Sequence, residues 1–157
     1  MYFSLIDCIE SIELGKQIVA TKSLSLAEEY LRDHFPKFPV MPGVLMLEAL
    51  TQTSAWLVRA TDQFKHSIVV LKEARSVKFA RFVQPGQTLR LAATIAKTDD
   101  DLITLKAEGT LEGQTNLKAQ LILRRYNLSE ENREKDEIDK KIIENMKQQF
   151  KLLYKKG

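Results

Sequence analysis

Imidazole and carboxyl groups are the side chains most used to move protons near neutral pH. This chain carries one of each in a setting that limits where they can point. His34 stands directly before Phe35-Pro36-Lys37-Phe38-Pro39-Val40-Met41-Pro42, and Glu48 follows within an apolar stretch. Pro36, Pro39 and Pro42 remove backbone donors and push the residues before them towards extended geometry, so this segment is not regular structure. A rigid loop of this kind would aim the imidazole. A lone carboxylate in a buried helix is costly unless it is paired or used, so Glu48 taken singly admits a structural reading as well as a chemical one. Between the two lies Gly43, at the start of the expected helix. There, free backbone N–H groups and the helix dipole can receive an oxygen that is becoming negative. An imidazole, a buried carboxyl and an oxyanion donor are the parts needed to abstract a proton next to a carbonyl.

The elements that would position these groups follow from periodicity. Gly43 to Ala60 contains no proline and is rich in Leu, Ala and Met, which predicts a helix of about five turns. Val44, Leu45, Met46, Leu47, Leu50, Trp56, Leu57 and Val58 make it apolar on nearly every face, the mark of a buried helix. Before it, Ile9, Ile12 and Leu14 lead to a turn at Gly15, and Ile18, Ala20 and Lys22 follow at alternate positions, which predicts a hairpin. Ala27 to Asp33 predicts one or two helical turns. After it, Ser67–Leu71 is a β-branched run, and Val77, Phe79 and Val83 lead to a turn at Pro85-Gly86. Leu89, Leu91, Ala93 and Ile95 alternate strictly; Leu102 to Thr110 and Asn116 to Tyr126 read as further strands, joined at Glu112-Gly113. A buried helix with a run of antiparallel strands is an α+β domain whose sheet wraps the helix.

Residues 127–157 differ in kind: eight basic and seven acidic side chains crowd 31 positions. Ile138, Ile142, Met146, Phe150 and Leu153 recur at helical spacing, so this is an amphipathic helix appended to a core domain of residues 1–126. It packs on the domain or a second subunit, or it docks a partner. The length of 157 residues suits one domain able to bury its own core. A net charge of +3 permits an acidic partner and is far from a nucleic-acid signature. The single cysteine, Cys8, excludes an intrachain disulfide and is expected as a small buried hydrophobe. With only His34 and His66, a multi-histidine metal site is not expected. Residues 1–10 lack a basic leader and no apolar run reaches the ~18 residues of a membrane span, so the expectation is a cytoplasmic protein.

The stretch from His34 to Gln52 resembles the active-site segment of the FabZ-type 3-hydroxyacyl-acyl-carrier-protein dehydratases. It matches their pattern HFPxxPVMPGVLxxEAxxQ at every fixed position. Val77-Lys78-Phe79-Ala80-Arg81-Phe82-Val83-Gln84-Pro85-Gly86 is similar to the family's VKFxxxVxPGD, and the likeness spans roughly residues 1–126. The resemblance implies a hot-dog fold and dehydration of a 3-hydroxyacyl thioester to the trans-2-enoyl thioester, with no metal or organic cofactor. It implies that His34 acts as base or acid at C2 and the 3-hydroxyl, and that Glu48 shares this proton traffic and assists departure of water. Gly43 N–H would polarise the thioester carbonyl, and Gln52, one turn beyond Glu48, would hold its carboxyl. Glu48 in place of the Asp of FabA-type enzymes favours dehydration without isomerisation. The resemblance further implies a homodimer, possible as a trimer of dimers, whose site combines the histidine of one subunit with the carboxylate of the other. An apolar tunnel would take the acyl chain, with Val44, Trp56, Phe79 and Phe82 as candidate lining residues.

The implied partner is acyl carrier protein, and Arg59, Arg75, Lys78, Arg81, Arg124 and Arg125 are candidates for docking it. Two positions depart from the pattern: Lys37 stands where the family has Gly, and Gln87 replaces the Asp after Pro85-Gly86. Lys37 is a solvated loop lysine or a contact to the acidic carrier, and the Gln87 change touches the turn more than the chemistry. A hot-dog thioesterase and a catalytically idle acyl-binding subunit are the alternative readings.

Overall fold

Six antiparallel strands form one sheet in the order β1-β2-β4-β5-β6-β3, and a long helix crosses its inner face. The computed structural model describes residues 3–33 and 37–155. The predicted hairpin is β1 (Cys8–Glu13) and β2 (Gln17–Ser23), turning at Gly15 with φ +78°. A short α1 (Tyr30–Asp33) precedes the long α2 (Gly43–Thr61), and β3 (Ile68–Phe79) follows. The meander is β4 (Thr88–Asp99), β5 (Leu102–Leu111) and β6 (Gln114–Tyr126). Between β5 and β6, Glu112 and Gly113 both have positive φ, +53° and +80°. That pair matches the two-residue turn whose twist suits a hairpin.

Alternation decides which side of the sheet meets α2. Leu89, Leu91 and Ala93 of β4, Ile103, Leu105 and Ala107 of β5, and Leu117, Ala119, Leu121 and Leu123 of β6 are all buried. Their registers align, with Ala93 opposite Ala107 and Leu105 opposite Leu121. Against them α2 buries Met46, Ala49, Leu50, Thr53, Trp56 and Leu57. Gly109 lies where the packing is closest: a Cβ there would stand 3.2 Å from Leu89 Cδ1.

Four sequence expectations need correction. First, α2 is not buried all round: Val44 is 75% exposed and Glu48 is also exposed. The sheet covers one side of the helix, and the stripe containing Val44, Glu48 and Ala55 is left open in a single chain. Second, the helix expected from Ala27 shrinks to one turn at Tyr30–Asp33, because Ser25 draws the preceding residues into a turn. Its Oγ accepts from Ala27 N at 3.1 Å and its carbonyl accepts from Glu28 N at 3.2 Å. Third, Cys8 is exposed rather than buried, since it opens an edge strand and points away from the core. Fourth, Ile138 does not join the apolar stripe of the C-terminal helix α3 (Asp136–Leu153) and is 50% exposed.

Two short 3₁₀ turns, Leu128–Glu130 and Arg133–Lys135, bring α3 back across the end of α2. Phe150 sits 5.8 Å from Trp56 and 5.6 Å from Phe64, ring centre to centre, and Leu153 is buried in the same cluster. At the other end Asp139, one residue past Ile138, is buried. Its carboxylate accepts from Ser67 Oγ, and from Leu128 N and Ser129 N at 2.9 Å each. Burial pushes this carboxyl up, but the Ser67 hydroxyl and the two backbone donors outweigh it and hold the group at about 2.

Candidate active site

The N-terminus of α2 is built by Pro42, whose carbonyl accepts from Leu45 N at 3.0 Å and Met46 N at 3.1 Å. Proline at this position is preset in φ and lacks a donor that would otherwise go unused. The amides of Gly43 and Val44 find no acceptor among the described residues. They are the orphan donors that every helix start presents.

A cavity of about 270 Å³ opens against this end of α2. Met41, Gly43 and Met46 form one side of it, and Phe79, Ala80, Arg81 and Phe82 form the other. Position 43 is packed closely: a Cβ there would meet the Phe79 ring at 3.3 Å. Phe38, from the proline segment, stands edge-on to Phe82 at 5.8 Å and extends the aromatic rim. Met41 N donates to Val83 O at 2.9 Å, which ties the proline segment to the loop between β3 and β4. The arrangement can therefore hold an apolar chain and offer an N–H to an oxygen at its end.

Glu48 does not line this cavity. Five residues along a helix turn it roughly 140° from Gly43. It faces the open side of α2 with Gln52, whose Nε2 donates to Glu48 Oε1 at 3.2 Å and to Phe3 O at 3.1 Å. Gln52 Oε1 in turn accepts from Leu5 N at 2.8 Å. The amide is thus fixed by the N-terminal segment, and it fixes one carboxylate oxygen.

His34 lies outside the described residues. The chain leading to it is anchored by groups that strand alternation alone did not reveal as polar partners. Lys22, at an inward position of β2, is only 5% exposed and its Nζ meets Glu28 Oε1. The second oxygen of Glu28 accepts from the Tyr30 hydroxyl at the start of α1. Burial, and then that donation to Glu28, pushes the Tyr30 phenol well above its ordinary value.

Of the candidate lining residues, Phe79 and Phe82 meet at the Gly43 cavity. Val44 lies on the open stripe beside Glu48. Trp56 does not reach the cavity: it is 4% exposed, three turns further along α2, and packs against Phe150 of α3. Nothing in the local sequence announces that α3 folds back to cover it. Of the basic candidates, Arg75 pairs with Glu73, Arg124 with Asp101 and Arg125 with Asp62. Arg59 donates to Ser67 O at 3.0 Å and Arg81 to Leu111 O at 2.8 Å, whereas Lys78 and Lys37 stand exposed. Gln87 takes over the turn: its Oε1 accepts from Gln84 N at 2.8 Å.

The family model for the FabA-like domain matches residues 1–120. The 3-hydroxyacyl-[acyl-carrier-protein] dehydratase FabZ of Latilactobacillus sakei is 39% identical over 117 residues, covering 74% of this chain and 84% of that protein. The FabZ of Listeria monocytogenes serotype 4b is 36% identical over 120 residues, covering 76% of this chain and 83% of that protein. Among solved structures, the dehydratase heterocomplex ApeI:P from Xenorhabdus doucetiae superposes with a TM-score of 0.64 at 16% identity, covering 84% of this chain and 89% of that one. A hypothetical thioesterase with coenzyme A from Streptococcus pneumoniae gives a TM-score of 0.56 at 14% identity, covering 76% and 84%. These structural likenesses identify the hot-dog fold.

Proposed function

Because the chain belongs to the FabA-like family of 3-hydroxyacyl-acyl-carrier-protein dehydratases, we propose that it removes water from a 3-hydroxyacyl thioester on acyl carrier protein in fatty-acid biosynthesis. The enzyme is a hydro-lyase and acts in the cytoplasm. His34 takes the proton from C2, the C3–O bond breaks, and the hydroxyl leaves as water on a proton delivered with the help of Glu48. Gly43 N–H polarises the thioester carbonyl as charge develops on it. Gln52 holds Glu48 in its working rotamer. Phe79 and Phe82 line the cavity that takes the acyl chain.

The observation that carries these roles is the apolar cavity built against Gly43, whose N–H finds no acceptor among the described residues. Glu48 opens away from it, so one chain does not assemble the site alone. A second copy completes it. The open α2 stripe and the free edge of β3, with Val70 and Leu71 exposed, supply the apolar surface for a homodimer. Lys78 and Lys37, both exposed, are available to the acidic carrier protein.

The test is mass spectrometry of a 3-hydroxyacyl-carrier-protein panel incubated with the purified protein and no added cofactor. Loss of one water, reversible from the enoyl side, is expected from the wild type and not from His34→Ala. Release of the free carrier thiol would replace the dehydratase reading with a thioesterase.

A further inference from the structure

Asn116 is fully buried at the start of β6, beside Leu117, which is buried as well. Two successive inward residues break the alternation of a strand. The break is a bulge: Thr110 of β5 pairs with Thr115 and Gly109 with Leu117, so Asn116 has no opposite residue. A bulge re-aims a side chain and is common beside active sites. Here it turns the Asn116 amide towards the cavity wall.

Each polar group of Asn116 on that side is used. Its backbone carbonyl accepts from Ala80 N at 2.8 Å, and Oδ1 accepts from Arg81 N at 2.8 Å. The donor in that second bond fixes which amide atom is oxygen, so Nδ2 faces Met46 Sδ at 3.8 Å. Ala80, Arg81 and Met46 all line the cavity at Gly43. One buried amide therefore spans both walls, the segment that follows β3 and the face of α2. A valine or leucine would be buried there at less cost, because an amide out of water requires each of its hydrogen bonds.

We propose that Asn116 is a positioning residue that sets the separation of the two cavity walls and thereby the acyl-chain-length preference of the enzyme. The proposal rests on the dehydratase reading. Asn116 touches no substrate; it acts through Arg81, Ala80 and Met46. Its loss frees the 80–82 segment to adapt to chains that the wild type discriminates against.

The experiment measures kcat and KM for 3-hydroxyacyl carrier proteins of short, medium and long chain with the wild type, Asn116→Leu and Asn116→Ser. Leucine keeps the volume and removes every side-chain bond. Serine leaves space for a water to satisfy Arg81 N–H, and it carries the test if the leucine variant does not fold. The expected result is a ratio of kcat/KM between best and worst chain lengths that falls about tenfold, the scale of a changed pocket contact. The change is expected in KM, with kcat on the best substrate kept within about threefold. A lowered melting temperature with an unchanged chain-length profile would make Asn116 a fold residue only and overturn the proposal. A wild type that dehydrates nothing in the panel would overturn the dehydratase reading, and this inference with it.

Discussion

Replacing Asp139 with Ala removes the acceptor that ties α3 to the domain. The carboxylate receives Ser67 Oγ, Leu128 N and Ser129 N, so Asp139→Ala strands two backbone donors and a hydroxyl. The native carboxyl is held at about 2 against its ordinary 3.8. Each unit of such a shift corresponds to about 1.4 kcal/mol, which puts the loss at about 2 kcal/mol. For a chain of this size, that lowers the melting temperature by about 4–8 °C at pH 7. Because the folded-state value is depressed, the stabilisation is present above about pH 4 and fades as the pH falls towards 2. The gap between wild type and variant should therefore narrow by roughly half at pH 3. The assay is thermal unfolding followed by circular dichroism at both pH values, with dehydratase activity measured in parallel. Activity at 25 °C should persist, because α3 does not line the Gly43 cavity. Equal melting temperatures at pH 7, or a gap that does not change with pH, would refute the assignment of Asp139 as the charged anchor.

Other perturbations separate chemistry from scaffold. Glu48→Gln should lower kcat by ~10²-fold or more in steady-state assays while leaving the melting curve unchanged, since Gln keeps the size of the side chain and an oxygen to accept from Gln52 Nε2. Gly43→Ala places a methyl 3.3 Å from the half-exposed Phe79 ring, which can yield, so stability should change by less than ~1 kcal/mol while kcat/KM falls about tenfold or more as the wall shifts over the N–H. Gln87→Ala removes the side-chain acceptor for Gln84 N and should cost about 1 kcal/mol, or about 2–4 °C in melting temperature, with kcat unchanged.

Much of this protein is local and was legible as such. The helix expected from Gly43 to Ala60 is found at Gly43–Thr61, because uninterrupted helix formers between a proline and a polar end state their own boundaries. The three-strand meander and its Glu112-Gly113 turn follow from two-residue alternation and from backbone that only certain residues adopt readily. The segment from His34 to Gln52, on which the family likeness first rests, is likewise contained in residue order. Long-range partners decided the rest. The inward position of Lys22 is visible in the pattern, but that Glu28 and Tyr30 arrive to satisfy it is not. Trp56 looks like a tunnel residue until Phe150 is seen against it, and Asn116 looks like an ordinary strand opening until a bulge turns it onto Arg81 and Met46. Periodicity determines which side of an element a residue takes, because backbone geometry repeats along the chain. What meets that residue depends on contacts made across dozens of positions, so only the tertiary structure could decide which polar groups are paired, which face of α2 stays open, and where the cavity lies.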